Sequence, residues 1–279
     1  MQGIIWLASY PKSGNTWLRA FLANLFSGEA DPVSFERMSN FIPSEALSAW
    51  YLDMFGKDFD VTNDRAVTRN RAKIQARLTA GREIPVFLKT HSYLGQERGH
   101  NIINLNVTIG AVYIVRNPLD VVVSAAPHFN LTLDQTIELM ADKDMKSQGG
   151  GKLVFEKPAD WSTNVRSWTK RSHPSLLVLK YEDLLQDPKT HFTKLTRFIQ
   201  LNKSEKEIKR AIENSSFKSL QTLEQKDGFS ERPEHAKSFF RKGETEQWRE
   251  ALSEKQIRKI IDTHREQMER FDYIPEDYA

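Results

Sequence analysis

The segment IIWLASYPKSGNTWLRAFLANLF, residues 4–26, decides the fold. An apolar run as long as a buried strand precedes a polar turn with one glycine, Gly14, and residues 16–26 then carry apolar side chains at helical spacing. The first amides of a helix have no partner within the helix, so this turn predicts an anion-binding site. A Walker loop has two glycines and a lysine after the second, whereas Lys12 precedes Gly14 here. The usual ATP site is therefore disfavoured, although the glycine alone could equally shape the turn and leave Lys12 at the surface.

Three further apolar runs resemble the first, and each ends in a polar or charged residue. Such runs, alternating with helical patterns, predict a central parallel sheet flanked by helices in one α/β domain that spans residues 1–279. Ligands of such sheets bind at the carboxyl ends of the strands. The four predicted strands are Ile4–Ala8, Val86–Leu88, Ala111–Val115 and Leu176–Leu179.

The remaining segments differ in their patterns. Residues 29–80 are mixed in composition and contain no clear strand, and residues 142–158, with three consecutive glycines, predict a mobile loop. From Lys189 onward the pattern is mainly helical and highly charged. Within it, Glu254–Arg270 predicts a solvated amphipathic helix.

Composition excludes several classes of function. The formal net charge of +3 suits a small anionic ligand and is too weak to indicate nucleic acid. The sequence contains no cysteine, which excludes disulfides, a thiolate nucleophile and a cysteine-ligated metal. It shows no signal peptide and no apolar run long enough for a membrane span, so we expect a cytoplasmic protein without membrane or nucleic-acid partners.

Several motifs in this order resemble the sulfotransferases that use 3′-phosphoadenosine 5′-phosphosulfate (PAPS) as donor. The resemblance covers most of the chain and implies their P-loop-like fold. The motif residues are most similar to those of bacterial members, including the enzymes that act on glycopeptide antibiotics. The resemblance is poorest at residues 29–80 and 130–158. The matching motifs are SYPKSGNTW (9–17), LKTH (88–91), VRNPLDVVVSAAPHF (115–129), NVRSWTK (164–170), LVLKYEDLLQDP (177–188), SSF (215–217) and RKG (241–243).

The resemblance implies that the first loop holds the 5′-phosphosulfate of the donor. Lys12 would meet the charge that develops on the leaving phosphate oxygen during transfer. The amides of Ser13, Gly14, Asn15 and Thr16 would hold the phosphate, with the Thr16 hydroxyl as a further donor.

The LKTH motif implies the chemical groups on the acceptor side. His91 follows a strand, where a neutral imidazole could take the proton of an acceptor hydroxyl as general base. Lys89 would stabilise the oxygens of the transferring group, and a salt-bridged structural lysine is the alternative.

The remaining motifs imply contacts to the nucleotide. Arg116 and Ser124 would bind the 3′-phosphate of the donor and of the product, 3′-phosphoadenosine 5′-phosphate (PAP), by charge-assisted hydrogen bonds. Arg241, Lys242 and the amide of Gly243 would also donate hydrogen bonds to this phosphate. Alternatively, Arg241 and Lys242 belong to a solvated loop and contact no ligand.

Aromatic residues are candidates for the adenine. Trp17 and Phe217 would sandwich the ring, with polar contacts from Tyr181 and Ser215. Trp17 could equally belong to the core, because its spacing fits the apolar stripe of the first helix. Trp161 and Trp168 are predicted to be core residues rather than contacts of the nucleotide.

These features predict an enzyme that transfers a sulfonate from PAPS to a hydroxyl of a small-molecule or natural-product acceptor, without a metal ion. A nucleotide kinase of similar architecture and a non-catalytic nucleotide-binding homologue are the alternatives. The acceptor is not readable from the sequence. The oligomeric state is open, because residues 245–256, TEQWREALSEKQ, lack the Lys-Thr-Val-Glu segment through which animal cytosolic enzymes often pair.

Overall fold

The computed structural model describes residues 2–278 as an alternation of strands and helices. Its elements are β1 (Ile4–Ser9), α1 (Asn15–Ser27), α2 (Phe35–Phe41), α3 (Ser48–Phe55), α4 (Asp64–Thr79), β2 (Val86–Thr90), β3 (Gln96–Glu97), β4 (His100–Asn101), β5 (Thr108–Val115), α5 (Pro118–Phe129), α6 (Leu133–Ala141), α7 (Trp161–Thr169), β6 (Leu176–Lys180), α8 (Tyr181–Gln186), α9 (Pro188–Phe198), α10 (Glu205–Asn214), α11 (Phe217–Asp227), α12 (Trp248–Ala251) and α13 (Glu254–Arg270). Single 3-10 turns occur at Leu105–Val107 and Glu276–Tyr278.

The central sheet has the strand order β2-β1-β5-β6, and β3 and β4 form a separate antiparallel pair. β1 and β2 run parallel, with Ile4 opposite Val86 and Ala8 opposite Thr90. All six residues of β1 are buried, as expected for a parallel strand that is covered on both faces. The confirmed α/β class thus follows from the continuous apolar run that opens the sequence.

The chain divides into two compact units. The first comprises the N-terminal segment through Tyr10, Ile42–Tyr113 and Asp142–Val178, and the second comprises Pro11–Phe41, Ile114–Ala141 and the C-terminal segment from Leu179. In the first unit, Tyr51, Val67, Ile74, Val154 and Phe155 contribute to one apolar cluster. In the second unit, α1 packs against α2 and α10, and α5 packs against α6, α12 and α13. The prediction of one domain over residues 1–279 stays a prediction.

The predicted strands and helices are confirmed, with small differences at their ends. Each of the four strands extends beyond its apolar run, because flanking polar residues also join the sheet. At the start of β5, the Thr108 hydroxyl accepts a hydrogen bond of 2.8 Å from the Trp6 indole. The charged C-terminal region is helical as predicted, and α13 has the predicted bounds.

The two segments with the weakest sequence patterns differ in their secondary structure. Residues 29–80 contain α2, α3 and α4 and no strand, in agreement with the prediction. Residues 142–158 are irregular as predicted, but Val154 and Phe155 within them are buried in the core of the first unit. Mobility of this segment stays a prediction, and any motion has to leave these side chains in the core or expose apolar surface.

A buried ion pair ties α4 to the irregular segment of the first unit. The Arg71 guanidinium donates to Glu45 Oε1 at 2.5 Å and to the carbonyl oxygen of Phe155. Both charged side chains are almost fully buried. Because a buried charge that loses its partner is strongly unfavourable, this pair couples three separate parts of the chain.

We predict that Glu45→Gln lowers the free energy of unfolding by about 3–5 kcal/mol, because it leaves the Arg71 guanidinium without a buried countercharge. Urea denaturation measures this change. Glu29→Gln is the matched control, because Glu29 pairs with Arg37 on the exposed surface, where we expect little change. Equal losses in the two variants would contradict the structural importance of the buried pair.

Candidate functional site

The loop between β1 and α1 has the geometry of an anion site. Lys12 and Gly14 have positive φ angles of 65° and 104°, and α1 begins directly after Gly14. Within the described chain no side chain caps this end of α1, so its positive dipole end is available to a ligand. The buried Ser13 hydroxyl also has no hydrogen-bond partner among the described residues. These features fit the binding of a phosphate group.

Gly14 is required by the packing of its neighbour. A Cβ atom at this position would lie 2.7 Å from Cδ2 of Tyr181, which is shorter than any ordinary contact. The Tyr181 ring also contacts the edge of Trp17, with 5.9 Å between the ring centroids. The glycine thus lets the aromatic side chain of α8 approach the loop.

Lys12 belongs to a group of cations in the second unit. Its ammonium lies 3.9 Å from the centre of the Phe239 ring, and its side chain is half-buried. Burial lowers the pKa of Lys12 most, and with the nearby guanidinium groups of Arg116 and Arg241 it brings the pKa to about 8. A bound anion would favour the charged form again, because it offsets this mutual repulsion.

Arg116 follows β5 and is held by backbone oxygens. Its guanidinium donates to the carbonyl oxygens of Lys12 at 3.1 Å and Glu244 at 3.0 Å, and it lies 4.2 Å from the centre of the Tyr181 ring. The buried Nε of Arg116 has no partner in residues 2–278. The side chain is therefore fixed by neutral groups, and its charge can be matched by a ligand.

The predicted 3′-phosphate residues lie on α5 and on the segment that precedes α12. Arg241 is exposed and donates to the carbonyl oxygen of Val123 at 3.3 Å, next to Ser124 on α5. Lys242 is exposed. Arg241 thus contacts the residue before Ser124, while phosphate contacts of Arg241, Lys242 and Ser124 stay predictions.

Phe217 and Gly243 contact each other closely. Gly243 has a φ angle of 68°, and a Cβ atom there would lie 2.2 Å from the Phe217 ring. Phe217 begins α11 and packs against the same apolar cluster as Trp17. Trp17 therefore takes part in the core, and its further contact with adenine stays a prediction.

Ser215 closes the end of α10, and its polar contact with the nucleotide stays a prediction. It is fully buried, and its hydroxyl donates to the carbonyl oxygens of Ala211 at 2.7 Å and Ile212 at 3.3 Å, at the end of α10. Trp161 and Trp168 are buried in the first unit, which agrees with their predicted core positions.

Two carboxylates missed at the sequence level hold the basic segment of the second unit. Glu224 accepts from the amides of Phe239 at 2.7 Å and Phe240 at 3.0 Å. Asp120 accepts from the amides of Glu246 at 2.8 Å and Trp248 at 3.3 Å. Arg241, Lys242 and Gly243 lie between these anchors. Asp120 stands inside the motif at residues 115–129 and was therefore detectable, whereas Glu224 carries no sequence signal.

In the first unit, His91 is held in one tautomer. Its Nδ1 lies 2.9 Å from the carbonyl oxygen of Ser9 and 3.3 Å from the Ser9 hydroxyl. A carbonyl oxygen only accepts, so Nδ1 carries the proton and Nε2 has the lone pair of a base. The His91 carbonyl oxygen accepts from Asn164 at 2.9 Å, which also fixes the main chain.

Lys89 is buried in β2 and forms an ion pair with Glu156, with 3.1 Å between Nζ and Oε2. This arrangement is the salt-bridged alternative that the sequence left open. A contact between Lys89 and the transferring group stays a prediction. Glu156 lies in the poorly matching segment, so the motifs did not indicate it.

Two features are absent from the described residues. No group of three or more His, Cys, Asp or Glu side chains within residues 2–278 is arranged to hold a metal ion. Over the same range, no helix is both long and apolar enough to cross a bilayer.

The fold and the loop define an α/β protein whose first helix begins at a loop with the geometry expected of a phosphate site. The chain belongs to the sulfotransferase family, because the sulfotransferase domain model matches residues 3–272. The family resemblance stated from the motifs is thereby confirmed, and its similarity to bacterial members stays a prediction.

Relatives and solved structures agree with this assignment. Flavonol 3-sulfotransferase of Flaveria bidentis is 28% identical over 92% of this chain and 78% of its own length. Cytosolic sulfotransferase 12 of Arabidopsis thaliana is 26% identical over 89% of this chain and 72% of its own.

Two structures share the fold. Retinol dehydratase, solved with androsterone and the inactive cofactor PAP, has a TM-score of 0.66 at 20% identity and covers 95% of this chain and 80% of its own. Mouse sulfotransferase SULT7A1, complexed with PAP, has a TM-score of 0.64 at 21% identity, with coverage of 98% and 86%. The predicted P-loop-like fold with a central parallel sheet is confirmed.

We predict that Gly14→Ala destabilises the protein by about 1–3 kcal/mol more than Gly28→Ala, because the new methyl group clashes with Tyr181. Gly28 is the matched control, since it ends the same helix in a left-handed conformation and a Cβ there meets only Arg210, at 3.8 Å. Urea denaturation of both variants measures the difference. Equal losses would mean that backbone strain, and not the close approach of Tyr181, requires the glycine.

Proposed function

We propose that this protein transfers a sulfonate group from PAPS to a hydroxyl group of a small-molecule or natural-product acceptor and releases PAP. The observation that carries the proposal is the group of cations formed by Lys12, Arg116 and Arg241 in the second unit. These residues come from separate motifs, and their mutual repulsion suits a ligand with more than one anionic group. Membership of the sulfotransferase family and two PAP-bound structures of the same fold support the choice of nucleotide.

On the donor side, the backbone amides at residues 13–16 would bind the 5′-phosphate, with the hydroxyl of Thr16. The unpartnered hydroxyl of Ser13 supports a polar ligand at this loop. Lys12 would stabilise the negative charge that appears on the leaving phosphate oxygen when the sulfur–oxygen bond breaks. The Lys12 ammonium lies beside the neutral ring of Phe239, and the nearby guanidinium groups of Arg116 and Arg241 favour the approach of an anion to it.

The 3′-phosphate would bind between Arg116 and Ser124, with Arg241, Lys242 and the Gly243 amide as further donors. Adenine would lie between Trp17 and Phe217, near Tyr181, while Ser215 would support this region by closing the end of α10. The hydrogen bond from Arg241 to the carbonyl oxygen of Val123, the residue before Ser124, supports this assignment.

On the acceptor side, His91 would act as general base through Nε2. The acceptor oxygen attacks sulfur while its proton passes to Nε2, and the leaving phosphate takes the electrons of the broken bond. The hydrogen bond from Nδ1 to Ser9 supports this role, because it leaves the lone pair on Nε2. Lys89 would stabilise the sulfonate oxygens if its ion pair with Glu156 rearranges, and otherwise serves to balance that carboxylate.

The reaction as proposed needs no metal ion, because the charge of the leaving group is met by Lys12 and the backbone amides. A nucleotide kinase is disfavoured by the missing Walker spacing. Transfer of labelled sulfonate from PAPS to a panel of phenols and alcohols tests the proposal directly. A protein that binds PAP and transfers nothing would be a non-catalytic homologue.

We predict that PAP binds more tightly than AMP by about 2–4 kcal/mol, because only PAP has the second phosphate for the cations. Isothermal titration calorimetry measures both affinities. Arg241→Gln should reduce this difference, whereas Arg258→Gln, which removes an exposed arginine paired with Glu254 on α13, should leave it unchanged. Equal affinities for PAP and AMP in the unsubstituted protein would remove the 3′-phosphate assignment.

We predict that His91→Ala lowers the rate of transfer by about a hundred- to ten-thousandfold and leaves PAP affinity unchanged. The loss should be greatest for aliphatic alcohols and smallest for acidic phenols, whose hydroxyls ionise without a base. Steady-state kinetics with both acceptor types measure it, and His100→Ala, an exposed residue of β4, is the control. Substantial activity of His91→Ala on an alcohol would show that His91 is not the base.

A further inference from the structure

The main chain around Glu156 lies along the residues that follow β2. The Lys157 amide donates to the Ser92 hydroxyl at 3.1 Å, and the Tyr93 amide donates to the Lys157 carbonyl oxygen at 2.9 Å. On its other side, Glu156 exchanges hydrogen bonds with Ser147, whose hydroxyl accepts from the Glu156 amide at 2.8 Å and whose amide donates to the Glu156 carbonyl oxygen at 2.9 Å. Glu156 is therefore fixed from two directions, although it belongs to no helix or strand.

The Glu156 carboxylate contacts both chemical residues of the LKTH motif. Oε1 accepts from the backbone amide of His91 at 2.9 Å, and Oε2 accepts from Lys89 Nζ at 3.1 Å. The side chains of Glu156 and Lys89 are each about 10% exposed, so water screens these contacts only weakly. One carboxylate thus holds the main chain of His91 and the ammonium two residues before it.

Glu156 is ionised in this environment. Burial by itself raises the pKa of Glu156, but the Lys89 ammonium, the His91 ring and the hydrogen bonds from both together lower the pKa to about 2. The carboxylate therefore carries its negative charge throughout the neutral range.

The ion pair of Arg71 secures the position of this carboxylate. Arg71 donates to the carbonyl oxygen of Phe155, the residue before Glu156. The backbone amide of Glu45, the partner of Arg71, donates a hydrogen bond of 3.0 Å to the carbonyl oxygen of Lys89. The Arg71–Glu45 pair thus holds the main chain at both Lys89 and Glu156 by hydrogen bonds.

Charged and neutral groups both lie next to His91. Glu156 of the irregular segment contacts the His91 amide and pairs with Lys89 of β2, while Ser9 of β1 and Asn164 of α7 are neutral partners of His91. Lys89 and Glu156 balance each other as long as the imidazole is neutral. When the ring takes a proton, the carboxylate attracts the new positive charge and the ammonium repels it.

We propose that Glu156 is a positioning residue that orients His91 through its backbone amide, neutralises Lys89, and stabilises the protonated imidazole that forms during transfer. The inference rests on the proposed function in one respect, the assignment of His91 as the base. Glu156 does not touch the reacting atoms and acts through its two neighbours.

The test compares Glu156→Gln with the wild-type protein by NMR titration of the His91 ring in the absence of substrate. The amide removes the attraction and leaves the Lys89 repulsion, so the pKa of His91 should fall by about one unit or more. Turnover should fall about tenfold or more at an unchanged KM for PAPS, with a greater loss for an aliphatic alcohol than for an acidic phenol. Glu97→Gln is the matched control, because Glu97 is a carboxylate that pairs with Lys157, the residue after Glu156.

An unchanged His91 pKa in folded Glu156→Gln, or an equal shift in Glu97→Gln, would overturn the proposal. If Glu156→Gln does not fold, Glu156→Asp replaces it, because it keeps the charge that Lys89 needs. The shorter side chain cannot reach both partners, so turnover should fall severalfold with folding retained, and wild-type turnover would overturn the proposal. If the wild-type protein transfers no sulfonate, the proposed function fails, while the titration of His91 still decides whether Glu156 controls its charge.

Discussion

The buried parallel pairing of β1 with β2 is the constraint on which the rest of the structure depends. Its register places Ala8 opposite Thr90, so the chain leaves both strands at the same edge of the sheet. The next residue of one strand, Ser9, then accepts a hydrogen bond from the ring of His91, which follows the other strand. The tautomer of the imidazole is therefore a consequence of strand register. A slip of one residue would turn every side chain of the strand to the opposite face and would separate the His91 ring from Ser9.

The same strand leads into the anion loop of the second unit, where packing and charge act together. Gly14 allows the Tyr181 ring to approach, and that ring also lies against the guanidinium of Arg116. Arg116 in turn binds the carbonyl oxygen of Lys12, whose left-handed conformation turns the chain toward α1. Lys12 and Arg116 thus lie against aromatic rings, while the carboxylates of Glu224 and Asp120 hold the segment that carries Arg241. Burial lowers the pKa of Lys12 most and Arg116 and Arg241 lower it further, while Glu231 and Glu224 act in the opposite direction.

The sequence was sufficient to predict the strands, the first helix and the residues of the motifs, because these depend on local patterns. The apolar run of β1 and the single glycine after it need no knowledge of distant contacts. The sequence was insufficient for Lys89, where it left a catalytic lysine and a salt-bridged lysine open, because the choice depends on Glu156, which lies 67 residues further along the chain. It was also insufficient for Phe155, which lies in a glycine-containing segment that predicts a loop and is nevertheless buried through its apolar side chain.

The residues that the motifs missed share one physical property. Glu156, Glu224 and Asp120 are buried carboxylates that accept hydrogen bonds from backbone amides. Each one holds in place a segment that carries a histidine or cations, and none belongs to the groups expected to contact the ligand. Asp120 and Glu224 lie in helices and Glu156 lies in an irregular segment, so no single sequence pattern marks such a carboxylate. A ligand-contacting residue, in contrast, has to match a fixed chemical group at a fixed strand end. Motifs therefore identify the groups that are expected to face the ligand, while the part that Glu156, Glu224 and Asp120 play in holding segments in place becomes visible only in the folded chain.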